Sequence, residues 1–129
     1  MGAMVWVVLG SALGGMARYW LSGAVGRTVG ETFPWGTMAV NVSGALAIGI
    51  VAAIAARGGW AAGEHGWPLV VIGLLGSYTT VSSFSLQTLA LARDGEWRRA
   101  AANVALSVVL CLSAAAVGLV LGGALAGAR

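Results

Sequence analysis

Long apolar stretches alternate with short polar ones along this chain. Because a helix needs about 20 mostly apolar residues to cross a bilayer, the pattern predicts four transmembrane helices. These are residues 3–25, 37–56, 68–92 and 100–125. The last three contain no charged residue, and the first contains one, Arg18. We therefore predict an all-α membrane protein whose residues 1–129 form a single transmembrane domain.

The three stretches between these helices have the composition of short loops at a membrane surface. All four acidic residues lie in them, and the six tryptophans lie near the segment ends, where indole rings settle at the membrane–water interface. A secretory signal peptide begins with basic residues, whereas the first basic residue here, Arg18, lies inside the apolar run. The first segment is therefore predicted to be a retained helix.

Composition and charge support the membrane assignment and exclude other classes. The chain of 129 residues is 59% hydrophobic and 9% charged, with a mean hydropathy of +0.90, whereas soluble domains carry about 25% charged residues. Its net charge of +3 comes from scattered arginines, and no nucleic-acid-binding motif is present. The single cysteine, Cys111, cannot form an internal disulfide.

The arginines give only a small orientation signal. The loops at 27–36 and 93–99 hold four arginines, and the opposite side holds two, Arg57 and Arg129. The positive-inside rule favours the four-arginine side as cytoplasmic. An asymmetry of two against four is compatible with a fixed orientation or with insertion in both orientations.

Small residues are spaced for close helix packing. GxxxG pairs occur at Gly10 and Gly14 and at Gly118 and Gly122. In lipid this spacing allows helix backbones to approach closely. The pattern indicates a tight bundle or a dimer.

Two polar side chains stand out inside the apolar segments. Arg18 costs several kcal/mol in lipid unless it is paired, hydrated or extended to the interface. It is either an interfacial arginine or a cation near the mouth of an anion path. Asn41 must satisfy two donors and an acceptor, so it either bonds another helix or offers an N–H to a passing ion.

The stretch "LLGSYTTVSSFSLQT", residues 74–88, is the third polar feature. Glycine and β-branched residues from Gly76 to Thr80 are poor helix formers, so we expect the third helix to break near its middle. Carbonyls freed by such a break inside a membrane need a partner, and they suit a hard cation such as sodium. Beyond it, hydroxyl, amide and aromatic residues share one helical face: Thr80, Ser83, Phe84 and Gln87. Each is either a donor to an ion or a helix–helix hydrogen-bonding group.

No Asp, Glu, Lys or His lies inside any of the four segments. A proton- or cation-coupled carrier usually needs an acidic residue there. The remaining neutral donors and one arginine favour passive passage of an anion.

Three stretches carry a resemblance to a known family. "GGMARYW", "FPWGTMAVNVSG" and "GLLGSYTTVSSFS" occur in this order on the first three segments, and together they resemble the small fluoride channels called Fluc or CrcB. The resemblance implies a dual-topology antiparallel dimer of four-helix subunits, with the third helix broken and two pores between the subunits. It implies passive export of fluoride across the cell inner membrane, with no enzymatic activity.

The resemblance also implies roles for particular residues. Backbone carbonyls at Gly76 and Thr79, from both subunits, would hold a structural Na+ at the dimer centre. The pore asparagine matches Asn41, the arginine matches Arg18, and the fourth-helix pore serine matches Ser107. The implied ion pathway also includes Thr80, Val81, Ser82, Ser83 and Phe84.

The chain departs from the family pattern at the aromatic positions. The family reads TTFSTFS where this chain reads TTVSSFS: Phe84 keeps the second phenylalanine, and Val81 replaces the first. Ser83 keeps a hydroxyl, and Gln87 replaces a glutamate. A homodimer would therefore have half the usual pore aromatics. Alternatives are a pore-degenerate partner in a heterodimeric fluoride channel and a small four-helix coupled exporter.

Overall fold

The computed structural model describes residues 2–30 and 32–127; of the charged residues counted above, Glu31 and Arg129 lie outside these ranges. The described chain is helical and contains no strand. Four helical spans are long and apolar enough to cross a membrane, which confirms the predicted number of membrane-capable helices. They are α1 (Gly2–Val29), α2 (Trp35–Ala56), a composite third span (Trp67–Arg93) and α5 (Trp97–Gly127).

The helices are longer than the apolar stretches that predicted them. Helix α1 continues past residue 25 through Arg27, and α5 begins at Trp97, before two arginines. The hydropathy pattern marks the part of a helix that suits lipid, whereas backbone hydrogen bonding continues into the polar interface. Apolar length is therefore a lower limit for helix length.

The third span has three parts. Residues Trp67–Leu75 form a π-helical segment, in which the N–H of Gly76 reaches back five residues to the Val71 carbonyl. A short helix, α3 (Gly76–Tyr78), follows. Thr79 and Thr80 are extended, and α4 (Val81–Arg93) then begins.

Helix α2 lies along α5, and α1 lies along the π-helical segment. Glycines face each other at both contacts. A Cβ atom placed on Gly118 of α5 would lie 3.1 Å from the Cα of Gly49 in α2, and one on Gly73 would lie 3.0 Å from the Cα of Gly10 in α1. Such distances leave no room for a side chain, so these interfaces depend on direct backbone contact, as in other membrane helix pairs.

We predict that Gly118→Ala destabilises the protein by about 1–3 kcal/mol, the usual cost of forcing a methyl group into a packed interface. The added Cβ would meet the Leu46 carbonyl oxygen and the Gly49 Cα. The matched control is Gly15→Ala, a mid-helix site with no atom within 4 Å of the new Cβ, where alanine should be neutral or stabilise by up to about 1 kcal/mol. Unfolding free energies in detergent micelles measure both. Equal effects would show that the α2–α5 contact is not as close as described.

Candidate functional site

Thr80 is the point around which the polar residues of the membrane spans gather. It is buried and precedes α4, and its Oγ1 accepts a hydrogen bond from the Ser83 N–H at 3.2 Å. This is an N-cap, which satisfies one of the free amides at a helix start. The hydroxyls of Ser82 and Ser83 both lie 3.2 Å from the same Oγ1. Three adjacent hydroxyls therefore cluster where the helix restarts.

Asn41 of α2 pairs with the backbone of Thr80 at two points. Its Nδ2 donates to the Thr80 carbonyl at 2.9 Å, and its Oδ1 accepts from the Thr80 N–H at 2.8 Å. The side chain thus gives the Thr80 N–H the acceptor that the interrupted helix does not, and it adds a donor to the Thr80 carbonyl, which as an N-cap carbonyl also accepts the first hydrogen bond of α4. Among the described residues Nδ2 donates only to Thr80, and because an amide carries two N–H hydrogens, one remains for another acceptor.

The carbonyls of residues 76–79 lack helical partners. In a continuous helix they would accept from the N–H groups of residues 80–83. Here the Thr80 N–H bonds Asn41, the Ser83 N–H bonds the Thr80 hydroxyl, and no helical turn crosses Thr79 and Thr80. These carbonyls are therefore free to accept from water, bind a cation or contact a second molecule.

The residues that carry two of these carbonyls, Gly76 and Thr79, border a cavity of about 340 Å³ between α2, α5 and the interruption. We call it the glycine crevice, because Gly44 of α2 also borders it. Neutral backbone oxygens released from a broken membrane helix are the ligands that sodium uses in transport proteins. The carbonyl oxygens of Gly76 and Thr79 are the kind of ligand that the sodium ion expected from the family pattern would need, whereas the wall of the glycine crevice within one chain is almost entirely apolar. Among the described residues, no cluster of His, Cys, Asp and Glu offers an alternative metal site.

A second cavity, of about 300 Å³, brings together residues from three helices. Asn41 of α2, Phe84 of α4 and Ser107 of α5 border it, together with Thr80 and the mouth residue Val81, which is 77% exposed. We call it the α5 crevice. Three residues matched to the family's ion path thus share one cavity, although they lie far apart in the sequence.

Polar cavities on the opposite side of α4 form what we call the α1 crevice. Arg18, Ser22 and Thr37 line its inner part of about 180 Å³, together with Ser83 and Thr80. Ser22, Thr37 and Ser83 also line the next cavity, of about 460 Å³, which extends to Gln87. Each volume is large enough for several waters.

A further cavity of about 410 Å³ shares Gln87 with the last one and reaches Asp94, Glu96 and Arg99 in and beside the last loop. Polar cavities are thus chained from the helix ends to Thr80. Ser83 and Gln87 belong to this side, whereas Phe84 belongs to the α5 crevice. Helical spacing predicted a single donor face on α4. The structure divides that face between two crevices, which lie on different sides of α4.

Sequence reasoning missed two buried polar residues, Thr37 and Asn103. Thr37 precedes Asn41 by four residues and lines the α1 crevice. Asn103, 1% exposed, precedes Ser107 by four and donates from Nδ2 to the Thr88 hydroxyl at 2.8 Å. Since residues four apart share a helix face, the same spacing rule could have found both.

The Asn103 contact continues to the α5 crevice. The Thr88 hydroxyl donates to the Phe84 carbonyl at 2.7 Å, so a hydrogen-bonded chain runs from α5 to the backbone of Phe84. Near it, the Gln87 Oε1 is buried and accepts no hydrogen bond from the described residues. A water in the adjoining cavity would satisfy it.

Known proteins are similar in sequence to this chain over most of its length. The pattern of the family described as "CrcB-like protein, Camphor Resistance (CrcB)" matches residues 5–119. A protein of Rhodopseudomonas palustris named "Fluoride-specific ion channel FluC 2" is 59% identical over 116 residues, which are 89% of this chain and 88% of that protein. One of the same name from Bradyrhizobium diazoefficiens is 57% identical over 122 residues, 94% and 89% of the two chains. "Fluoride-specific ion channel FluC" of Methylocella silvestris is 51% identical over 115 residues, 88% of each.

Proposed function

This chain belongs to the CrcB family, and from that membership we propose that it is a fluoride-specific ion channel. The observation that carries the proposal is the meeting of two crevices at Thr80, inside a membrane span: the α1 crevice has a partly polar wall, and the α5 crevice is almost entirely apolar but is bordered by Asn41 and Ser107. The relatives named above are fluoride-specific channels by name. Membership in a family of channels also means that the protein is not an enzyme.

The chemistry of the crevices suits a small, strongly hydrated anion. Fluoride must exchange its water for other donors as it crosses, as ions do in selectivity filters. The Ser83 and Ser107 hydroxyls and the second Asn41 N–H are such donors, and the edge of the Phe84 ring carries partial positive charge. No acidic residue lies in the spans to repel the ion.

Arg18 adds a positive charge at the α1 crevice. It is half-buried there, and in the described ranges the one salt bridge joins Arg99 to Glu96 at 3.6 Å. An arginine without an acidic partner beside a polar cavity raises the local concentration of anions. We propose that fluoride enters along the α1 crevice, passes the hydroxyls around Thr80 and leaves by the α5 crevice.

The crevices in a single chain are open on one side, which supports a dimer. Val81 and Ser82 are exposed at the interruption, and so is Gly76. Irregular backbone at membrane depth is tolerated only where protein or a water-filled cavity covers it. We propose that a second copy, inserted in the opposite orientation, covers this face and closes two pores.

A sodium ion at the centre of that dimer follows from the free carbonyls. Gly76 and Thr79 of one copy supply two oxygens, and a two-fold partner doubles the number with the same residues. The bound ion would supply a fixed positive charge beside both anion paths. The chain's own part is to hold those carbonyls in place and to keep lipid away from them.

From passive conduction we also infer the direction in which fluoride moves and the membrane in which the protein lies. A channel lets fluoride run down its gradient, so it exports the ion whenever the cytoplasmic concentration is the higher one. The four spans make the chain a multi-pass membrane protein, and export from the cytoplasm requires the cell inner membrane.

Val81 supports a second candidate, a subunit that completes another chain's pore. It stands at the mouth of the α5 crevice, where the family pattern has a phenylalanine, and its methyl groups cannot offer a polarised ring edge to an anion. In a pair of unlike subunits the other chain would supply the missing ring.

The test is ion efflux from liposomes that contain only this purified protein. We expect release of fluoride but not of chloride without a proton gradient. Fluoride release that requires a proton gradient would identify a coupled exporter. Release that begins only when a second, different subunit is added would favour the heterodimer.

We predict that Asn41→Asp lowers the rate of fluoride efflux at least about tenfold. The carboxylate keeps an acceptor for the Thr80 N–H but faces the Thr80 carbonyl without a hydrogen to donate, and it puts negative charge in the anion path. Asn41→Ala is the control: it removes both hydrogen bonds to Thr80 and adds no charge, so a smaller loss of efflux than in Asn41→Asp would assign the effect to the carboxylate. Normal efflux through Asn41→Asp would remove Asn41 from the pore.

We predict that Gly76→Leu lowers the dimer fraction in detergent several-fold. Within one chain a Cβ at this position meets only the Val71 carbonyl oxygen, at 3.5 Å, which is an ordinary contact. The loss would therefore report the second copy and the sodium site rather than a misfolded subunit. Gly76→Ala should weaken the dimer less, and a dimer fraction unchanged by leucine would contradict the proposal.

A further inference from the structure

Tyr78, the residue that precedes the interruption, is tied to α2 by its hydroxyl group. Its Oη lies 2.7 Å from the Ser43 Oγ. Ser43 Oγ also lies 2.7 Å from the Ala39 carbonyl and 3.1 Å from the Val40 carbonyl. A serine hydroxyl has one hydrogen, and those carbonyls can only accept it. Assigning the serine hydrogen to the Ala39 carbonyl, the shorter of the two contacts, leaves the Tyr78 hydroxyl as the donor to Ser43.

The tyrosine ring and the next residue fit against a glycine of α2. A Cβ on Gly44 would lie 3.3 Å from the Tyr78 Cδ1 and would overlap the methyl group of Thr79. Together with the pairing of Asn41 and Thr80, three positions within one turn of α2 hold residues 78–80. Side chains thus fix this segment beyond the last helical hydrogen bond, which runs from the Thr79 N–H to the Leu75 carbonyl at 3.1 Å.

This anchoring matters because of the carbonyls it controls. A peptide carbonyl without a hydrogen-bond partner can rotate when the adjacent φ and ψ angles change. The carbonyls of Gly76 and Thr79 flank Tyr78, and Thr79 has two further hydrogen bonds, from its N–H and its Oγ1 to the Leu75 carbonyl at 3.1 and 3.0 Å. Holding the Tyr78 side chain restricts the peptide planes between the two proposed ligand carbonyls.

We propose that Tyr78 is a positioning residue for the cation site: by donating to Ser43, it fixes the carbonyls at Gly76 and Thr79 in the orientation that binds sodium. The inference rests on the proposed function, since it takes the sodium site as given. According to this inference, the affinity of the site for sodium depends on the Tyr78–Ser43 contact within one subunit as well as on the carbonyls themselves. Tyr78 and Ser43 act on the ion only through the backbone.

The test is the sodium dependence of thermal unfolding of the purified dimer. The sodium concentration that gives half of the sodium-induced rise in the unfolding midpoint is measured in Tyr78→Phe, Ser43→Ala and the double variant, with N-methylglucamine replacing sodium. We expect each single variant to need about three to ten times more sodium, the effect of losing one hydrogen bond. Because both changes remove the same bond, the double variant should match the single ones.

Two further variants separate positioning from general stability. Ser43→Thr keeps the acceptor hydroxyl and should retain the wild-type sodium requirement. Ser113→Ala removes an exposed hydroxyl from α5 and should also leave it unchanged. The inference would be overturned if Tyr78→Phe lowered the unfolding midpoint equally at every sodium concentration and left the sodium concentration for half of the rise unchanged. Tyr78 would then be a packing residue.

The experiment also distinguishes this inference from the proposal beneath it. If the wild-type dimer shows no sodium-dependent stabilisation, the sodium site fails and the inference fails with it, whereas fluoride efflux is judged separately. If the wild type responds and Tyr78→Phe responds identically, only the positioning role is wrong. Additive shifts in the double variant would show that Tyr78 and Ser43 act independently, which would also overturn the positioning role.

Discussion

The pairing of the Asn41 amide with both backbone groups of Thr80 is the contact on which the site depends. A helix interrupted at membrane depth exposes peptide groups that cost several kcal/mol each when they have no partner. One side-chain amide supplies the acceptor and the donor together, at 2.8 and 2.9 Å. The chain can therefore leave helical geometry at Thr79 and Thr80 without leaving Thr80 unsatisfied. Because Asn41 also borders the α5 crevice, the group that stabilises the interruption is the group that faces the proposed ion.

Close backbone packing makes this pairing geometrically possible. An asparagine side chain is short, so α2 must approach the third span closely for its amide to reach a backbone. Gly44, one turn from Asn41, gives that room, since a side chain there would overlap Thr79. The glycine contacts with α1 and α5 hold the remaining helices at similarly short distances. In lipid, where apolar side chains gain nothing by leaving the solvent, such packing and the hydrogen bonds it allows are the main source of specificity.

The interruption also separates the polar groups that suit a cation from those that suit an anion. Free carbonyls belong to residues beside the glycine crevice, whereas hydroxyl donors line the polar α1 crevice, and Asn41 and Ser107 border the nearly apolar α5 crevice. A cation suits the first set and an anion suits the second. The two sets are neighbours because a helix break produces both from the same few residues: the carbonyls of the ending helix on one side and the capped start of the next helix on the other.

Much of this could be predicted from the sequence alone. Apolar length predicted the four membrane-capable helices, since lipid excludes charge. Polar residues within apolar segments singled out Asn41 and Arg18 as candidates, because such residues are costly there without a role, and the family resemblance added Ser107. The family likeness, carried by three short stretches, agrees with the comparisons over most of the chain. Helical spacing alone could not separate Ser83 from Phe84, since it gives relative angles on one helix and not the neighbours that the helix meets.

The tertiary structure decided which helix each polar group faces. Asn41 could have met any neighbour, and only the packing of α2 against the third span pairs it with the Thr80 backbone. The same packing aligns Tyr78 with Ser43, two residues 35 positions apart, whose contact no local pattern encodes. The amino-acid sequence determines the inventory of donors and a lower limit for the length of each helix, because both depend on local chemistry. Their assignment to crevices depends on helix contacts distant in the chain, so it emerges only in three dimensions.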